Sequence, residues 1–106
     1  MKKLFVMLLA LAVLFAVSAL AEEAACTEEV VSIATEAYEI PATVVLPAGE
    51  GPFPAVVMLH GTGSTRDEAG NGYLYAAPVL AEKYGIATIR IDFPGNGEST
   101  ADYMLY

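Results

Sequence analysis

The chain is 106 residues long, 56% of them apolar, with 13 acidic against five basic residues and a formal charge of −8. That length bounds it at one small domain, and the acidic surface excludes nucleic acid and anionic membranes as partners held by charge. Its single cysteine, Cys26, excludes an internal disulfide, and its single histidine, His60, leaves no His-Cys or His-Asp group with metal spacing, so no cofactor is expected.

The first segment reads as an export signal. Lys2 and Lys3 precede an unbroken apolar run over 4–17, and Ala19-Leu20-Ala21 has the small-x-small form of a signal-peptidase site before Glu22 and Glu23. Residues 1–21 are therefore expected to be a cleaved signal peptide, and the protein secreted or extracytoplasmic. The alternative is an uncleaved signal acting as membrane anchor, since 4–21 approaches a spanning length, but no basic stop-transfer residues follow. Cleavage removes two of the five basic residues and none of the acidic ones, leaving a net −10. Contact with a membrane is expected only through this signal.

Residues 22–29 are polar and expected to be a flexible mature N-terminus. A first strand is expected within 30–40, where Val31, Ile33 and Ala37 stand among polar neighbours, and a second over Thr43-Val44-Val45-Leu46. Pro41 marks the turn of this antiparallel hairpin. After a Pro- and Gly-rich loop over 47–52, residues 55–59 form a short, continuously apolar strand, as expected where helices cover both faces. A polar loop follows over 60–72. Leu74, Ala77, Leu80, Ala81 and Tyr84 then recur at helical spacing over 73–84, with Gly85 as a stop. Pro78 is awkward there and could instead start the regular helix. Residues 86–91 make a further strand ending at Asp92, and 93–100 a turn. The order β-β-β-α-β predicts an α/β class, with an antiparallel hairpin followed by a parallel β-α-β crossover.

Chemistry concentrates where the buried strands end. Leu59-His60-Gly61-Thr62-Gly63-Ser64 is a glycine-rich turn, which lets backbone approach a ligand closely. A phosphate is disfavoured: Arg66 stands where a dinucleotide fingerprint needs its third glycine, and no Gly-Lys-Ser/Thr follows. Backbone N–H groups turned toward a developing oxyanion suit the same turn. At this point the sequence resembles the α/β-hydrolase family, whose third strand ends in an H-G-x-x loop. The turn Asp92-Phe93-Pro94-Gly95-Asn96-Gly97-Glu98-Ser99 strengthens the resemblance, because it is similar to the D-x-x-G-x-G-x-S turn after the family's fourth strand. With Arg66-Asp67-Glu68, the chain looks most like the serine aminopeptidase and feruloyl-esterase-like branch.

The resemblance covers about 30–106 and implies strands 1–4 of a partial hydrolase sheet, ordered 1-2-4-3. It implies backbone N–H groups of Thr62 and Gly63 as oxyanion donors. His60, Gly61, Asp92, Gly95, Gly97 and Ser99 would then shape the loops. The implied substrate is a small-molecule ester or peptide-like amide, attacked through a serine acyl-enzyme. The family's nucleophile lies on a fifth strand in a G-x-S-x-G elbow, with the acid and histidine later still, and the chain stops at Tyr106 before these. None of the triad is therefore expected within it. His60 lies upstream of any nucleophile, and a hydrogen-bonding role suits it better than proton transfer. Ser99 in Gly97-Glu98-Ser99-Thr100-Ala101 lacks the final glycine, and no strand leads straight into it, so a turn or cap role is expected. Ser64 fails the elbow pattern too. Asp92 is expected to bond N–H groups of 94–97, Arg90 to be a partly buried strand residue paired with an acid, and Tyr73, Tyr75 and Tyr84 to pack the helix. The strand at 55–59 is expected to be an open apolar edge that makes the isolated chain poorly soluble or marginally folded, and inactive alone. A non-catalytic exported binding domain on the same scaffold is the alternative function.

Overall fold

A computed structural model describes residues 25–105. The expected signal peptide, residues 22–24 of the expected flexible segment and Tyr106 lie outside the described residues; the rest of that segment from Cys26 on is not a flexible tail but part of a strand. Strands β1 (Cys26–Ala34), β2 (Glu39–Pro47), β3 (Ala55–Met58) and β4 (Ala87–Ile91) form one sheet in the order β1-β2-β4-β3. β1 and β2 are antiparallel, as are β2 and β4, whereas β3 and β4 run parallel across the helix α1 (Gly72–Tyr84). This is the partial α/β sheet expected from the apolar runs, with β3 as one edge of the described strands.

The hairpin differs in its details. Its first strand begins at Cys26, not Val30, because Thr27, Glu28 and Glu29 pair with Leu46, Val45 and Val44. The reversal is made by Thr35: its N–H donates to the Tyr38 carbonyl at 3.0 Å, and its hydroxyl oxygen accepts from the N–H groups of Ala37 and Tyr38 at 3.3 and 3.0 Å. Pro41 is no turn residue. It sits inside β2 opposite Ser32, and its carbonyl accepts the Asp92 N–H at 2.9 Å, so it starts the β2–β4 contact.

Residues opposite one another across a sheet share a face. One face carries Glu28, Thr43, Val45, Val56, Met58, Thr88 and Arg90. Helix α1 lies on it, closing a small core of Val45, Met58, Ala77 and Ala81. The other face carries Val31, Ala42, Val44, Leu46, Val57, Ile89 and Ile91, and among the described residues no helix covers it. Both faces of β3 were expected to be covered; instead Val57 is 61% exposed and Val56 40%. The continuous apolar run of 55–59 reads as doubly buried, but this sheet provides one covered face.

Helix α1 includes Pro78 in its interior, where the missing N–H leaves the Leu74 carbonyl without its usual donor. The helix continues through it because Ala77 and Ala81 are anchored in the core. Gly85 ends the helix in the left-handed region (φ 64°), its N–H returning to Ala81 and the Ile86 N–H to the Leu80 carbonyl at 3.1 Å. Tyr75 and Tyr84 are both 67% exposed, so neither packs the helix as expected; Tyr73 does so in part, and its hydroxyl donates to the Leu59 carbonyl at 3.0 Å. Among the described residues no helix is long and apolar enough to cross a membrane.

Candidate active site

Parallel neighbours β3 and β4 end side by side, which brings the loop after Met58 against the turn after Ile91. His60 joins them. Its buried ring accepts the Phe93 N–H on Nε2 at 3.0 Å, which leaves Nδ1 to carry the proton and donate to the Gly61 carbonyl at 2.8 Å. The ring also meets the Phe93 ring edge-on, with centroids 4.9 Å apart. Both nitrogens are thus engaged within the two loops, and neither Ser64 nor Ser99 is a partner.

Beyond His60 the backbone reverses at 61–64, where the Ser64 N–H donates to the Gly61 carbonyl at 3.1 Å. Gly63 has φ 77° and Thr62 is not left-handed, which is the pattern of a type II turn with glycine where a positive φ is required. Among the described residues the N–H groups of Thr62 and Gly63 have no acceptor. The Gly61 N–H does: it donates to Glu68 Oε2 at 2.9 Å, while Glu68 Oε1 accepts the Ala69 N–H at 3.1 Å. The Ala69 and Gly61 N–H groups, with lesser help from Ser64 and His60, hold the Glu68 carboxyl below the usual glutamate range.

Beneath the loops lies a buried charge network. Asp92, 1% exposed, accepts the Arg66 backbone N–H on Oδ1 at 2.7 Å, and its Oδ2 accepts from both Arg66 Nη1 and the Glu98 N–H, the latter at 3.1 Å. Asp92 was expected to bond N–H groups within 94–97; it reaches the next one, and its main partner is Arg66. Arg66 also donates through Nε to the Thr43 hydroxyl at 2.9 Å and through Nη2 to Glu98 at 3.1 Å. Burial opposes its charge, but Glu98 and Asp92 outweigh that and raise its pKa above the ordinary value. Gly97 backs onto this carboxylate so closely that a β-carbon would overlap it. Gly95 packs likewise against Tyr103, whose Cβ would stand 2.7 Å from an added β-carbon.

Arg90 is fully buried, not partly, at 2% exposure. It donates through Nε to Asp67 at 3.0 Å and pairs with Glu28 at 3.7 Å, and its Nη1 has no partner among the described residues. Ser99 is a turn residue here: its N–H donates to the Asn96 carbonyl at 3.0 Å and its hydroxyl oxygen accepts the Ala101 N–H at 3.3 Å. A cleft of about 150 Å³ opens between Thr65, Arg66, Asp67, Asp92, Gly97 and Glu98. It is smaller than the roughly 300 Å³ at which small-molecule sites begin, and its lining is charged. Among the described residues no three of His, Cys, Asp and Glu could hold a metal ion.

Sequence reasoning left out Arg66, Thr43 and Glu68 as site-forming groups. Arg66 and Asp92 lie 26 positions apart and meet only because β3 and β4 are neighbours. The sequence does carry one signal, since two arginines among so few basic residues stand on or beside buried strands and need acids nearby.

The geometry has counterparts among known proteins. No protein-family model matches the chain. It is 36% identical over 66 residues to the 2,6-dihydropseudooxynicotine hydrolase of Paenarthrobacter nicotinovorans, a match covering 62% of this chain and 17% of that protein. Among solved structures it is similar to a dienelactone hydrolase from Anabaena variabilis, at 30% identity and a TM-score of 0.54, over 65% of this chain and 30% of that one. It is also similar to a cold-adapted esterase from an Arctic intertidal metagenomic library, at 25% identity and a TM-score of 0.54, over 73% of this chain and 32% of that one. The chain thus spans about a third of the length of these structures and less of the curated relative. Its strand order, its helix crossover and its two loops at the ends of β3 and β4 are those of part of an α/β-hydrolase fold.

Proposed function

We propose that the chain is the N-terminal part of an exported serine hydrolase of the serine aminopeptidase and feruloyl-esterase-like branch, and that its turn over 61–64 supplies half of an oxyanion hole. The observation that carries this reading is the pair of adjacent amides, Thr62 and Gly63, left without acceptors among the described residues in a turn whose Gly61 N–H, Gly61 carbonyl and Ser64 N–H are engaged. Such donors lower the barrier to acyl transfer because charge that develops on the carbonyl oxygen meets dipoles already in place. Carboxylic esters are favoured over peptide-like amides as substrates, since two of the three relatives are named as a dienelactone hydrolase and an esterase. Export rests on residues 1–21 alone.

In this reading none of the residues described performs the nucleophilic step. His60 is committed to Phe93 and Gly61, and Ser99 to a turn. The test is hydrolysis of p-nitrophenyl acetate by two proteins: the 106-residue chain and the longest protein its gene encodes. Turnover is expected only where an additional G-x-S-x-G serine is present. Turnover by the 106-residue chain that disappears in Ser99→Ala would overturn the assignment. No turnover by either protein would favour the alternative, an exported binding domain on a hydrolase scaffold.

A further inference from the structure

Glu68 is the feature of this loop whose bonds the buried charge network does not account for. Its backbone stands at φ 61° and ψ 174°, in a region that glycine enters freely and that crowds the β-carbon of any other residue. A glutamate is kept there although its carboxylate does not join Arg66 or Arg90. Instead both oxygens are given to main chain: Oε2 to the Gly61 N–H and Oε1 to its own neighbour, Ala69. Its backbone is held as well, since the Glu68 N–H donates to the Thr65 carbonyl at 2.8 Å and its carbonyl accepts the Asn71 N–H at 3.1 Å.

We propose that Glu68 is a positioning residue, whose carboxylate holds the Gly61 end of the 61–64 turn so that the Thr62 and Gly63 amides next to it face a substrate oxygen. The proposal rests on the oxyanion reading given above. Its physical logic is that of a clamp. Two amides can stabilise an oxyanion only if the turn carrying them does not reorganise as charge develops. An acceptor on the Gly61 N–H fixes the start of the turn, whose Ser64 N–H already closes it onto the Gly61 carbonyl, without using the middle donors. The left-handed backbone of Glu68 is what directs a side chain seven residues downstream back to Gly61, and the surrounding turn hydrogen bonds hold that conformation in place. Glu68 touches no reacting atom in this scheme and acts through the turn.

The test compares Glu68→Gly and Glu68→Gln with wild type in the longest protein the gene encodes, using p-nitrophenyl acetate and the backbone amide resonances of the loop. Glycine adopts φ 61° without crowding, so Glu68→Gly is expected to melt no lower than wild type while losing the clamp. Its kcat should fall about 10- to 100-fold, the scale of a small misplacement of catalytic groups, with KM within about twofold. The Gly61, Thr62 and Gly63 amide resonances should all move. Glu68→Gln keeps one acceptor oxygen and should restore part of kcat. A Glu68→Gly protein that keeps wild-type kcat overturns the proposal. If wild type itself hydrolyses no ester, the oxyanion reading fails and the resonances still decide the clamp: unmoved Thr62 and Gly63 signals in Glu68→Gly overturn it.

Discussion

Asp92 grips Arg66 twice, taking the backbone N–H on one carboxylate oxygen and the guanidinium on the other. One side chain at the end of β4 thereby fixes both the path and the charge of the loop that follows β3. Because Asp92 is 1% exposed, removing the guanidinium leaves a buried carboxylate without its counter-charge. Arg66→Ala is expected to destabilise the fold by about 3–5 kcal/mol in urea melts. A loss below about 1 kcal/mol would place this pair with weak surface bridges.

His60 supports the same junction from above. Replacing it by phenylalanine keeps a ring against Phe93 but strands the Phe93 N–H, at an expected cost of about 1–3 kcal/mol. His60→Gln, whose amide oxygen can accept that N–H, should lose less. If the histidine were instead a catalytic base, both variants would abolish turnover alike while leaving stability unequal.

The low pKa of Glu68 sets a direction for pH dependence. Its folded-state value lies below that of the unfolded chain, so its stabilisation is complete above the ordinary glutamate range and is lost as pH falls through the depressed value. The Gly61 amide resonance, followed by NMR, should therefore hold steady through neutral pH and move only below the usual glutamate titration. A midpoint at or above the ordinary value would contradict the clamp.

Much of the frame was legible in the chain. The apolar runs at 55–59 and 86–91, separated by a helix that Gly85 stops, locate β3, α1 and β4 to within a residue or two. The hairpin was less legible, because Pro41 carries a turn signal while the real reversal depends on one threonine side chain at Thr35. The burial of β3 was misread for a different reason: an apolar run reports what a strand can bury, and only the neighbouring elements decide what it does bury. Within the site, the glycine turns were visible as sequence. The partners of Arg66, Glu68 and Arg90 were not, since they depend on which loops the sheet order brings together.

The exposed face and edge have their own consequence. Val57 is 61% exposed on β3, which lies at an edge of the described sheet. Unpaired, apolar edge strands template further pairing, and a charge there opposes it. Val57→Lys in the 106-residue chain is expected to lower light scattering at a given concentration and raise the soluble yield. Unchanged scattering would show that association proceeds through some other surface.

The central claim concerns two backbone amides, and one substitution removes one of them while sparing the turn. Thr62 occupies the second position of a type II turn, where proline is well accommodated and brings no N–H. In the longest protein the gene encodes, Thr62→Pro is expected to melt close to wild type and to lose about 10²- to 10³-fold in kcat toward p-nitrophenyl acetate, the cost of one oxyanion donor. A folded Thr62→Pro protein with undiminished kcat would contradict the assignment of Thr62 as a donor.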